Sequence, residues 1–140
     1  MFYYMKNKEC FYSSFIFLFN ALIAYKYGYY NYSLSFLFLT ITSLIHHYYD
    51  TKFTYNLDRF ALIIIFYYTV SVFYIKFKNN IIKYEHIILY MILFFYMSYL
   101  YIYGYYNNQY CFDTNHNLAC CWHSLLHIIA SVSHIILILL

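Results

Sequence analysis

Long apolar stretches separated by short polar ones set the pattern of this chain. Runs at residues 10–25, 32–49, 57–75, 87–103 and 118–140 carry scarcely a charge. Each is close to the roughly 20 helical residues that cross a hydrocarbon layer about 30 Å thick. Between them lie a short turn at 26–31 containing Gly28, a polar connector at 50–56, a charged loop at 76–86 and a polar loop at 104–117. The pattern predicts an all-α fold, a multi-pass helical membrane protein of about five transmembrane helices forming one domain over residues 1–140. Residues 1–9 form a short lead with Lys6 and Lys8, and lead and first run together resemble a signal peptide. The run ends without a small-x-small cleavage pattern, so a retained first span is expected.

Composition agrees with the pattern. Of 140 residues, 65% are hydrophobic and 9% charged, so eight basic and five acidic side chains would have to solvate the surface of a soluble domain. Lipid is the expected solvent. The net charge of +3 is spread without any block of Lys and Arg, which argues against a nucleic-acid partner. Lys6, Lys8, Lys52 and Arg59 fall on one predicted side and Lys26, Lys76, Lys78 and Lys83 on the other, so the positive-inside rule gives no orientation and no particular membrane. The 23 tyrosines match AT-rich coding and carry no functional signal of their own. The predicted spans lack glycine, so helix packing rests on aromatic and aliphatic side chains with Ser and Thr as polar links. Cys10, Cys111, Cys120 and Cys121 fit no zinc-ribbon or CxxC spacing. Cys10 and Cys111 flank predicted spans and admit a disulfide on one face, with free thiols the simpler reading.

Candidate chemistry lies in two polar clusters. In residues 122–134, WHSLLHIIASVSH, His123 and His127 are four apart and share a helix face. That is a metal-ligand spacing, although a histidine inside a membrane helix also serves to hydrogen-bond a neighbouring helix. The second cluster, Ser43, His46, His47, Asp50 and Asp58, closes the second predicted span and opens the third. With helices alternating in direction, both clusters fall at the same membrane face and similar depth. His47, His123 and His127 can then offer three nitrogens to Zn2+, leaving a fourth position for water, as in catalytic zinc sites. Asp58 is placed to move a proton and Ser43 to donate to a carbonyl oxygen as charge develops. Each has a plainer alternative: Asp58 at a helix start favoured by the dipole, His46 and His47 as interfacial residues, Ser43 bonded back to its own helix. An ionisable group near hydrocarbon costs roughly 2.5–3.5 kcal/mol on insertion scales, which favours function where several converge.

The pattern Ser43-x3-His47, then Asp58, then His123-x3-His127 resembles the signature of the CREST superfamily of membrane hydrolases, which includes alkaline ceramidases, progestin and adiponectin receptor-like proteins and GPI-anchor remodelling enzymes. The Ser-His-Asp spacing is similar to that of alkaline ceramidases. The resemblance implies zinc held by His47, His123 and His127, catalytic roles for Ser43 and Asp58, and hydrolysis of an amide or ester of a membrane lipid such as ceramide. It departs from the family in span number, seven there against five here, and in having no counterpart of the acidic amino-terminal calcium site. His46 competes with His47 as a ligand, and His134 lies about two turns beyond His127 as a packing or hydrogen-bonding residue. The alternative is a non-enzymatic multi-pass protein, receptor-like, structural or accessory. A chain this short raises the further expectation of a homo-oligomer that encloses the site.

Overall fold

The computed structural model describes residues 8–140, and most of the basic lead therefore lies outside the described residues. Among the described residues the chain is helical, with no strand. Helix α1 (Lys8–Ser13) and α2 (Ile16–Lys26) occupy the first apolar run, which is broken between them. The break has a local cause. The Ser13 and Ser14 hydroxyls both donate to the Cys10 carbonyl, at 3.0 and 2.8 Å, competing with the regular backbone ladder.

A tight reversal joins α2 to α3 (Tyr30–Tyr49). The Gly28 N–H bonds to the Tyr25 carbonyl and the Tyr29 N–H to the Ala24 carbonyl, at 3.1 and 2.9 Å. This paired closure needs a left-handed residue, and Gly28 supplies it at φ +82°. Asp50, left-handed at φ 48°, ends α3. Thr51 then caps α4 (Lys52–Lys78), its side chain accepting from the Thr54 N–H while its own N–H donates to Thr54 Oγ1. The connector expected at 50–56 thus shrinks to two residues, because reciprocal threonine capping starts the helix early.

Helix α5 (Tyr84–Ser98) continues through a π-helical turn, Tyr99–Tyr103, into α6 (Gly104–Asn107). A side chain at Gly104 would place its Cβ 2.6 Å from the Gln109 carbonyl oxygen, so the chain doubles back only because glycine is there. After a 3₁₀ turn at Tyr110–Phe112, Asn115 caps α7 (His116–Leu139) by accepting from the Asn117 and Leu118 N–H groups. The expected loop at 104–117 is therefore mostly turn and helix end.

Three segments, Lys52–Lys78, Tyr84–Phe112 and His116–Leu139, are long and apolar enough to cross a membrane. The other two expected spans differ in kind: the first run is divided, and α3, 20 residues long, is too rich in polar residues. Ser33, Ser35, Thr40, Thr42, Ser43 and His47 of α3 are buried against neighbouring helices. Helix α2 packs on α3 and α7, α3 on α4, and α1 on both α3 and α7. Phe17, Ala21 and Ala24 of α2, Tyr32, Phe36 and Leu39 of α3, Ala61 and Ile65 of α4, and Leu137 and Ile138 of α7 form the core. Asn20 and Ser131 exchange hydrogen bonds across α2 and α7, with the Asn20 amide donating to the Ser131 carbonyl at 3.1 Å. No residue of helix α5 is fully buried, and Phe66, Tyr67, Ile92 and Phe95 are among many large apolar groups left exposed on α4 and α5. No disulfide forms among the four cysteines, so no bridge joins Cys10 to Cys111.

Candidate metal centre

The last turn of α3 and the first turns of α7 meet at one end of the bundle. There the structure brings His47, His123 and His127 together, with one ring nitrogen of each lying within 4.8 Å of the others. Ring centroids are 5.2 Å apart for His47 and His123, 5.5 Å for His47 and His127, and 4.8 Å for His123 and His127. His46 lies beside His47 but outside this set, with its Nδ1 3.5 Å from Thr54 Oγ1. Successive residues on a helix point about 100° apart, so the packing of α3 selects His47.

The residues fit a zinc ion. Zinc holds imidazole nitrogens at about 2.1 Å, so two of them on one ion lie no more than about 4.2 Å apart. Tetrahedral coordination sets them about 3.4 Å apart, so the rings would close in from the 4.8 Å limit to share one ion. His47 is only 4% exposed, yet its Nε2 has no hydrogen-bond partner. A buried unpaired imidazole nitrogen is costly unless something else takes its lone pair. The chain also fixes the tautomer of His127. The Ser13 hydroxyl uses its single proton on the Cys10 carbonyl, so at 2.8 Å it accepts from His127 Nδ1–H and leaves the His127 Nε2 lone pair for a ligand bond.

Ser43 and Asp58 are 2% and 4% exposed, and both line the same groove as His123 and His127. The same proton accounting applies to Ser43. Ser14 donates to the Cys10 carbonyl, so its oxygen, 3.0 Å away, accepts from Ser43. The Ser43 proton is therefore engaged at rest, and donation to a carbonyl oxygen requires the hydroxyl to turn. Asp58 accepts from Arg59 Nη2 at 3.1 Å through Oδ2, while its Oδ1 has no partner. Asp58 lies in the second turn of α4 rather than at a helix start, so the dipole explanation falls away. Asp50 stays at the helix end, lining the outer cavity.

Sequence reading missed four contributors: Ser13 and Ser14, which hold His127 and Ser43, and the pair Arg59 and Tyr101. Arg59 Nη1 donates to Tyr101 Oη at 2.7 Å, and its guanidinium stacks near the Tyr55 and Tyr101 rings. Two adjacent serines interrupting an apolar run were a visible signal for the first pair. The second depends on the π-helical turn, which no residue pattern announces.

Two cavities meet at the histidines. One, about 260 Å³, mixes His46, His47, Asp50, Arg59 and His123 with apolar groups such as Cys10, Phe112 and Ala119. The other, about 660 Å³, runs between α4, α5 and α7 and is mostly apolar, its polar lining including Ser43, Asp58, Arg59, Thr69, Ser133 and the histidines. His123, Arg59 and Tyr101 line both. No protein-family model, curated protein or solved structure matches the chain.

Proposed function

We propose that the chain is an integral multi-pass membrane protein that hydrolyses an amide, or an ester, of a membrane lipid, with zinc held by His47, His123 and His127. The observation that carries this reading is the convergence of three imidazole nitrogens from helices far apart in sequence within 4.8 Å, next to a carboxylate and a hydroxyl that line the same groove. It agrees with what the resemblance to the CREST hydrolases implies. The apolar surface of α4 and α5 suits acyl chains, and the two cavities suit a ligand with a polar head and a long hydrocarbon tail, as in ceramide.

When bound, zinc supplies Lewis acidity at the head of the groove. The protein's own groups do the rest. In this reading the carbonyl carbon lies beside Ser43 and Asp58, which line the groove with His123 and His127. Oδ1 of Asp58 takes a proton from the attacking water and delivers it to the departing nitrogen as the C–N bond breaks, giving a fatty acid and an amine. Arg59, bonded to Oδ2, keeps that carboxylate oriented. The Ser43 hydroxyl turns from Ser14 to the carbonyl oxygen as negative charge gathers there.

A non-enzymatic lipid-holding protein is the second reading, favoured by the Arg59 pairing of Asp58 and the engaged proton of Ser43. Purified protein in detergent, offered ceramides and phospholipid esters, separates the two. The hydrolase carries about one zinc per chain and releases free fatty acid, and Asp58→Asn abolishes release while keeping the metal. Zinc without cleavage of any lipid amide or ester establishes the second reading, and absence of zinc removes the first.

A further inference from the structure

Deep in the apolar groove lies a polar group that the proposed reaction does not use. His134 lines the groove two turns below His127, roughly 10 Å along α7. Its Nδ1 is 2.6 Å from Tyr32 Oη on α3, and Tyr32 Oη is 2.9 Å from Thr69 Oγ1 on α4. Thr69 Oγ1 is in turn 2.7 Å from the Ile65 carbonyl oxygen. A carbonyl oxygen can only accept, and that fixes the direction of the whole chain. Thr69 spends its one proton on Ile65, so it accepts from Tyr32. Tyr32 spends its proton on Thr69, so it accepts from His134 Nδ1–H. A neutral imidazole carries one N–H, and Nε2 is then a bare lone pair. Phe36 lies against the ring, at 5.1 Å between centroids, and helps fix its orientation.

An acceptor placed in hydrocarbon surroundings has a high affinity for any donor that reaches it, because water is scarce there to compete. We propose that His134, backed by Tyr32 and Thr69, is a subsite for a hydroxyl group midway along the chain of a hydroxylated acyl lipid. The proposal deepens the lipid-hydrolase reading and rests on it for the position of the head. The subsite is selective in sign as well as place: a keto group, an ether or a double bond offers no proton to Nε2. Discrimination of this kind, between a ligand with a hydroxyl and one without, is stronger than discrimination by size alone.

The test uses the full chain in nanodiscs and three probes: stearic acid, stearic acid with a hydroxyl on its tenth carbon, and the corresponding ketone. Wild-type protein is expected to bind the hydroxy acid about tenfold more tightly than the other two. His134→Phe removes that preference. Tyr32→Phe frees the imidazole to change tautomer, and the preference then moves toward the ketone. Thr69→Val is the check should either aromatic variant fold poorly, with the same loss of discrimination expected. Equal affinities in wild type, or a preference that survives in the folded His134 or Thr69 variant, overturn the proposal. Zinc content and ceramide cleavage measured on the same samples keep the two readings apart. A hydroxyl preference without hydrolysis sinks only the enzyme, and hydrolysis indifferent to the hydroxyl sinks only the subsite.

Discussion

The two sides of the bundle are built in opposite ways. On one side α1, α2, α3 and α7 are joined by paired polar side chains: Ser13 on His127, Ser14 on Ser43, Asn20 on Ser131, Tyr32 on His134. On the other side no residue of α5 is fully buried, Ile87 and Tyr90 only lean on the core, and its groove face is Met91, Phe94, Met97 and their neighbours. The first side is specified by directional bonds, each of which fixes a ring or a hydroxyl. The second is specified only by being oily. Such a division suits a site that holds its chemical groups still and lets its ligand's tail vary, since apolar contacts are nondirectional and methionine adapts to many shapes.

The contrast can be broken most severely at the imidazoles proposed to hold zinc. Replacing His123 or His127 with alanine is expected to bring zinc content, read by mass spectrometry of the purified protein, from about one per chain to background. If His127→Ala retained full zinc, the assigned metal centre would be wrong. Next comes the support behind the ring. Ser13→Ala leaves all three imidazoles in place but releases the His127 tautomer, and metal affinity by competition with a chelator should fall about 10- to 100-fold. Unchanged affinity would mean that Ser13 only ends a helix.

A smaller effect is expected within the first side. Asn20→Leu strands the buried Ser131 hydroxyl, and thermal unfolding in detergent should report a loss of about 1–3 kcal/mol, with zinc still bound by the folded protein. Smallest of all is the open side. Met91→Ala and Phe94→Ala together should leave zinc content and helical circular dichroism unaltered while weakening the binding of long fatty acids. A drop in zinc content in that double variant would show that α5 supports the site as firmly as α2 does, and would erase the contrast. His46→Ala belongs with this last group, with no loss of metal expected.

Much of the centre was legible before any coordinates. Parity of the helices and the four-residue spacing were enough to place His47, His123 and His127 at one end, because alternation of direction needs only an even number of crossings between α3 and α7. Choosing His47 over His46 was not possible from sequence, since neighbouring residues differ by a rotation that only packing sets. The division of the first run was hidden for a related reason. Average hydropathy counts Ser13 and Ser14 as two mildly polar residues, whereas their effect comes from where their protons go. The early start of α4 at Lys52 followed from a threonine pair whose reciprocal bonds a polarity pattern reads as loop. The groove itself is a property of spacing between helices, and no linear pattern carries it.

The π-helical turn at Tyr99–Tyr103 accommodates one residue more than a regular turn, and its middle residue is the tyrosine that meets Arg59. Shortening that stretch by a single amino acid would let the backbone relax into an ordinary spiral of nearly the same sweep, so what lies downstream would keep its facing and the change would fall on the turn itself. The surplus residue therefore acts on the turn alone, and a one-codon deletion there would displace the phenol that Arg59 meets, and with it a support of the Asp58 carboxylate, while sparing the rest of the helix.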